Sequence, residues 1–242
     1  MTAGFRRLAK DVNAEAMLPI LFQDERFVVL NKPPGLPVHA GPAGGASVED
    51  WFPALSRRKT GPWLAHRLDA DTAGCLVVAL RRAALLEAQA AFAEGRAGKT
   101  YWAIVQGGPA GDAGSIDLPV SKRSTRTGWH MVPDQAGRRA VTGWRVLARS
   151  SALAWLSLRP LTGRTHQIRV HCAALGCPIA ADPIYGHVSD TPLQLLARSI
   201  RLPLDPPLLA TAPPPAHMLT VLDAISGTAL WQSIANEEDV LF

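Results

Sequence analysis

The sequence predicts a fold that mixes helices and strands in one large domain. Short apolar runs with strand-like patterning recur between Ile20 and Leu158, bounded by Gly, Pro and Asp/Asn turns. Helix-forming stretches, 81–94 and 165–175, are set among them. The length of 242 residues, 48% hydrophobic and 19% charged, suits a soluble domain with a substantial core. Residues 1–19 read as an N-terminal extension with a short amphipathic helix stopped by Pro19, and 20–242 as the domain.

Taken in order, ILFQDERFVVLNKP (20–33) gives two apolar runs around Asp24–Arg26, a hairpin ended by Pro33 and Pro34. Ser47 is placed to cap a short helix from Val48 to Phe52. Cys75 to Leu80 is an uncharged apolar run, a strand buried on both faces. Arg81–Glu94 is a helix by composition, with Leu85, Leu86, Ala90 and Phe92 available to the core and Gly95 to end it. Tyr101–Val105 is a strand, and 107–145 alternates turns and short strands. Thr142–Leu147 and Leu153–Leu158 read as a strand pair. They lead to a helix from Thr165, its N-cap, to Leu175, with Gly176 and Pro178 beyond its end. Pro203–Pro215 is an extended edge or connection, and the residues from Leu219 form a short helix or strand.

The stretch His66–Leu80, HRLDADTAGCLVVAL, organises the rest. Its polar front feeds the buried strand through Gly74, where a backbone without Cβ can turn or approach a neighbour closely. Asp69, between Leu68 and Ala70, sits at the mouth of the core, so its carboxylate requires a cationic or hydrogen-bonding partner. Arg169 lies mid-helix among Ile168, Val170 and Cys172, and an arginine buried there requires an anion. Asp69 is the candidate.

Other chemistries are excluded. Asp69 and Asp71 have calcium-loop spacing, but Ala73 and Leu80 stand where such a loop needs oxygen ligands. Gly98-Lys99-Thr100 lacks the upstream glycine of a phosphate loop, since Ala93 holds that place, and it precedes a strand instead of a helix. His166 and His171 lie five apart on a helix, and the cysteines (75, 172, 177) have no chelating spacing, so no metal is expected. The unpaired cysteines also suit a reducing compartment, and the cytoplasm is the expected location. No apolar stretch approaches the ~20 residues that cross a bilayer, so no membrane association is expected.

Net charge is +5, which suits a polyanionic partner. Lys122, Arg123 and Arg126, then Arg138 and Arg139, flank Trp129 and His130. Basic residues interleaved with an aromatic suit a phosphate backbone and an unstacked base.

Three separated stretches together resemble the RluA-type pseudouridine synthases: HRLDADTAG (66–74), KTYWAIVQG (99–107) and TGRTHQIRVH (162–171). VVLNKPPGLPVH (28–39) and ADPIYG (181–186) are fainter echoes in the same order. The resemblance implies an α+β fold: a single catalytic domain with one mixed, largely antiparallel sheet, flanking helices and a basic cleft. It implies isomerisation of uridine to pseudouridine in structured RNA, rRNA or tRNA, with no cofactor. On it, Asp69 is the catalytic aspartate, Tyr101 the ring packed on the target base, and Arg169 the partner of Asp69. His66, Arg67, Arg164, Lys122, Arg123 and Arg126 are the expected RNA-binding residues, in a monomer. Ala73, Ala181 and Leu196 depart from the family pattern, which commonly has Ser, Gly and His there. Two other functions remain open on the residues: a non-catalytic RNA-binding module, and a hydrolase using Asp69 and Asp71 as acid and base.

Overall fold

A computed structural model of the chain describes residues 17–41, 44–126 and 128–240. Most of the predicted N-terminal extension, residues 1–16, lies outside the described residues. Leu18 is buried, and the Pro19 carbonyl accepts a hydrogen bond from the Asn31 amide at 2.8 Å. Both residues therefore pack with the first hairpin.

Strands β1 (Ile20–Gln23) and β2 (Phe27–Lys32) form the expected hairpin. Asp24 closes its turn, taking the Arg26 and Phe27 amides on one carboxylate oxygen at 2.7 and 2.6 Å. A 3-10 turn, Val48–Trp51, runs into the short helix α1 (Phe52–Leu55). After β3 (Trp63–Leu64) comes β4 (Ala73–Ala79), every residue of which is buried, as its apolar sequence requires. Helix α2 (Arg82–Ala93) follows, then β5 (Gly98–Gln106), β6 (Ala113–Asp117), β7 (Val120–Thr125), β8 (Gly128–Pro133), β9 (Val141–Arg149) and β10 (Leu153–Pro160). The chain ends its described course with α3 (Gln167–Ala174), β11 (Leu195–Leu202), β12 (Leu208–Thr211), α4 (Ala216–Ser226) and α5 (Thr228–Val240).

The main sheet runs β1-β2-β4-β11-β5-β10-β9-β6, with β12 beside β11 and β3 beside β4. Its pairings are antiparallel except β4 with β11. This is the mixed, largely antiparallel α+β architecture expected. Strands β7 and β8 form a separate two-stranded hairpin. One face of the sheet packs α2 and α4 against Phe27, Val77, Trp102 and Trp155. The other face carries Leu30, Leu76, Leu156 and Ile179 beneath the 3-10 turn and α3.

Three expected details differ. The described residues from Leu219 lie in two helices, α4 and α5, instead of one short helix or strand. In α2 the buried residues are Ala84, Leu85, Ala88 and Ala91, a stripe at helical spacing, whereas Leu86 lies one residue round the helix and is 55% exposed. Helix α3 begins at Gln167 instead of Thr165, because His166 has left-handed backbone geometry (φ 53) that no helix interior accommodates. Thr165 is not the cap. Gln167 instead turns its side chain back, and its oxygen takes the Arg164 amide (3.0 Å) and the Thr162 hydroxyl (2.7 Å).

Strand register builds a single row across the sheet: Lys32 opposite Gly74, Gly74 beside Ala197, Ala197 opposite Tyr101, and Tyr101 opposite Leu158. The row exists because Gly74 admits a close neighbour. Its φ is 108, and a Cβ there would run into the Ala197 carbonyl oxygen. Gly74→Ala should therefore lose about 2–4 kcal/mol, combining left-handed strain with overpacking against backbone. Urea unfolding measures this directly, and an unchanged midpoint would show that the β4–β11 contact does not constrain the fold.

Candidate active site

Four segments converge where the β4 entry, the start of β5, the end of β10 and the start of α3 meet. Together they line an open cleft of about 680 Å³ whose walls include His66, Arg67, Asp69, Lys99, Tyr101, Arg164, His166 and Arg169. Among the described residues, Asp69 is the one carboxylate lining it. Asp71 does not line it, so the residues needed for a paired-carboxylate hydrolase are not brought together there.

Asp69 lies on the tight turn that enters β4, its carbonyl taking the Thr72 amide at 3.1 Å. Beneath this turn is Lys32, fully buried, whose ammonium donates to the carbonyls of Pro33, Leu36 and Ala70 at 2.7–2.8 Å. Burial pulls its pKa down to about 7, against the opposing pull of Asp71 and Asp69. Lys32 thus ties the end of β2 to the residue after Asp69. The NKP sequence announced only the end of a strand.

The Asp69 side chain is 25% exposed, with Arg169 Nη1 at 3.6 Å and His166 Nε2 at 3.8 Å from Oδ2. Arg169 thus lies within ion-pair distance of Asp69, as expected, but it has a second and tighter partner, Asp182. Arg169 donates from Nε and Nη2 to the two Asp182 oxygens at 2.8 and 2.7 Å, and the side chains are 2% and 0% exposed. Burial would raise the Asp182 carboxyl, but the Arg169 hydrogen bonds and charge, with the Ile184 and Tyr185 amides, hold it below the ordinary carboxylate range. Asp182 is in the faint ADPIYG motif, and nothing in its spacing marked it as the anion for Arg169. Ala181 before it has φ 59, so the glycine common at that place has a conformational reason, and Ala bears the strain.

Tyr101 lines the same cleft. Burial, then the nearby Asp69, pushes its phenol well above the ordinary value, so the ring presents a neutral face. His66 also lines the cleft, but its Nε2 accepts the Val77 amide at 3.0 Å. Burial, then Lys99, lowers its pKa to about 4, so the ring is neutral and serves the β4 backbone. Arg67 is exposed at the rim, and Arg164 Nε donates to the Arg139 carbonyl at 3.0 Å. Lys122, Arg123 and Arg126 stand exposed on the β7–β8 hairpin and do not line the cleft.

Sequence reasoning missed His166, Tyr185 and Lys99 as site residues. His166 Nδ1 is 2.8 Å from the Tyr185 hydroxyl, which takes the Met131 amide at 2.9 Å. Trp129 stacks on the His166 ring at 5.2 Å between centroids. The hairpin, read from its sequence only as a surface for RNA, therefore packs against the site itself.

A sequence model described as RNA pseudouridylate synthase matches residues 26–174. An uncharacterized RNA pseudouridine synthase of Zymomonas mobilis is 41% identical over 204 residues, 81% of this chain and 93% of that protein. The ribosomal large subunit pseudouridine synthase D of the same organism is 37% identical over 180 residues, 70% of this chain and 56% of that protein. The structure of human RNA pseudouridylate synthase domain containing 4 superposes with a TM-score of 0.72 at 30% identity, covering 90% of this chain and 95% of that one.

Removing one member of the buried pair should be costly. Asp182→Ala leaves Arg169 without its two hydrogen bonds, with only Asp69 at 3.6 Å, and should lose ~3–5 kcal/mol, whereas Arg169→Met with Asp182→Leu should recover part of that loss. Denaturant midpoints decide it: equal midpoints for wild type and Asp182→Ala would deny the pair its structural role.

Proposed function

This chain belongs to the RNA pseudouridylate synthase family, and from that premise we propose that Asp69 is the nucleophile that converts a uridine in structured RNA to pseudouridine. The observation that carries the assignment is the cleft itself, in which Asp69 is the one carboxylate among the described lining residues, with Arg169 and Tyr101 beside it.

The family's reaction is an isomerisation. The N1–C1′ bond breaks, uracil turns, and C5 joins C1′ while a proton leaves C5 and one is gained at N1. Mass and redox state are unchanged. The Asp69 carboxylate supplies the nucleophile, and Arg169 Nη1 at 3.6 Å offsets its charge without the tight hydrogen bonds reserved for Asp182. That separation leaves an oxygen of Asp69 free to attack. Tyr101 offers an aromatic face to a uracil taken out of its stack. Arg67 at the rim, and Arg164 and Lys99 in the wall, supply positive charge for the phosphates on either side. We propose ribosomal or transfer RNA as substrate. The relative named for the ribosomal large subunit supports placing ribosomal RNA first in the test.

Unmodified ribosomal and transfer RNA transcripts, tritiated at C5 of uridine, should release tritium with the wild-type protein. Asp69→Asn should release none while retaining RNA affinity within a fewfold, because shape is kept and the anionic nucleophile is lost. Turnover by the purified variant would overturn the assignment.

The exposed hairpin arginines suit phosphate contact without chemistry. Arg123→Gln with Arg126→Gln should weaken RNA binding and reduce its salt slope by roughly one unit for each phosphate left without its arginine, with the saturated single-turnover rate near wild type. Unchanged salt dependence would place the RNA elsewhere. Lys122 is left in place because its ammonium lies 4.8 Å over Trp129, which touches the site.

A further inference from the structure

A hydrogen-bonded chain leads from the β7–β8 hairpin to His166, whose far ring nitrogen faces Asp69. The Met131 amide of β8 can only donate, and it donates to the Tyr185 oxygen at 2.9 Å. The Tyr185 hydroxyl lies 2.8 Å from His166 Nδ1, and the far nitrogen of that ring, Nε2, faces Asp69 Oδ2 at 3.8 Å. Of the two neutral tautomers, one directs an N–H at the carboxylate and the other directs a lone pair at it. The first is the electrostatically favoured one, and it requires the Tyr185 hydroxyl to donate to Nδ1.

The ring is fixed in other ways as well. Trp129 stacks on it with planes 23° apart, and Tyr185 meets it edge-on at 5.6 Å. Its left-handed backbone sets it outside the helix, so Gln167 onward follow the helical path while the imidazole points away from it. Tyr185 is itself held, its amide donating to Asp182 at 3.1 Å and its ring lying under the Arg169 guanidinium at 5.3 Å.

We infer that His166 is a positioning residue of the reaction: a neutral imidazole whose tautomer is set by Tyr185 and whose Nε2–H, turned toward Asp69 across 3.8 Å, orients the attacking carboxylate through its dipole. The inference rests on the assignment of Asp69 as nucleophile. The charged and titratable groups around the imidazole are Asp69, Asp71, Asp182, Arg169 and Tyr185. Burial is the largest influence and keeps the ring neutral, against the pull of Asp69. Removing the Tyr185 hydroxyl deletes a donor that only an unprotonated Nδ1 can accept, so the pKa of His166 should rise. On acidification an imidazolium then faces Asp69, and its full charge draws off nucleophilicity.

The test uses tritium release from the same transcripts in single turnover at saturating protein, across about pH 5 to 8, where an imidazole titrates. Tyr185→Phe should be slower than wild type by about tenfold at the alkaline end, where the ring loses the hydroxyl that sets its tautomer, and should then fall by about a further tenfold per pH unit below the raised pKa. His166→Gln, which keeps an N–H donor but cannot titrate, should be flat over this range and within about tenfold of wild type. His166→Leu, which fills the space without a donor, should be slower by about 100-fold at every pH with RNA affinity unchanged. Superimposable profiles for wild type and Tyr185→Phe, or equal rates for His166→Leu and His166→Gln, would overturn the inference. Should Tyr185→Phe not fold, the His166 pair decides alone. Retained turnover by Asp69→Asn would instead sink the nucleophile assignment, so the two failures are distinguishable.

Discussion

The double hydrogen bond between Arg169 and Asp182 is the constraint on which the site's geometry depends. Two parallel N–H···O contacts fix the plane of the guanidinium as well as its distance, which a lysine at the same place could not do. Because both side chains are buried, neither has water as an alternative partner. Asp182 spends its remaining capacity on the Ile184 and Tyr185 amides, so one carboxylate locks a turn and a helix together. The guanidinium then has one nitrogen left over, Nη1, and the locked plane aims it at Asp69.

The opposite wall is held by a different buried cation. Lys32 donates to three backbone carbonyls, one of them Ala70, so the turn bearing Asp69 is anchored from below as well as faced from above. Between these anchors the sheet register aligns Lys32, Gly74, Ala197 and Tyr101 in one row. The row needs the parallel β4–β11 pairing, which in turn needs a residue without Cβ at position 74. A lysine, a glycine and an arginine–aspartate pair thus do the positioning, leaving Asp69 partly open to the cleft.

The β7–β8 hairpin joins this arrangement from outside the main sheet. At its base His171 is buried, with Nε2 on the Leu118 carbonyl at 3.0 Å and Nδ1 on the Thr142 hydroxyl at 2.9 Å. His171 was excluded as a metal ligand from spacing, and its place in the fold is this strut. Further along the hairpin, Trp129 and Met131 meet His166 and Tyr185. The basic surface of the hairpin and the immediate surroundings of the carboxylate are therefore parts of one packed unit.

The sequence by itself determined most of the local elements and singled out the candidate carboxylate. The all-apolar run of β4, the turn residues around Asp24 and the glycine at 74 each express a constraint that acts within a few residues, so they are legible in order along the chain. Asp69 was legible for the same reason, as a carboxylate at the junction of a polar turn and a buried strand. Only the tertiary structure decided the partnerships: Asp182 for Arg169, Ala70 for Lys32, Tyr185 for His166 and Val77 for His66. Any buried cation satisfies its electrostatics with any anion or carbonyl that folding brings near, so pattern announces the need and not the partner. Arg169 needed an anion, and the nearest in sequence that could reach it was settled by how α3 and the 181–186 turn pack on the sheet. His166 shows the same limit in the backbone, because its left-handed conformation belongs to the close of a loop whose ends are fixed by β10 and α3. Local chemistry is written residue by residue, whereas the choice of partner is a property of the packed whole.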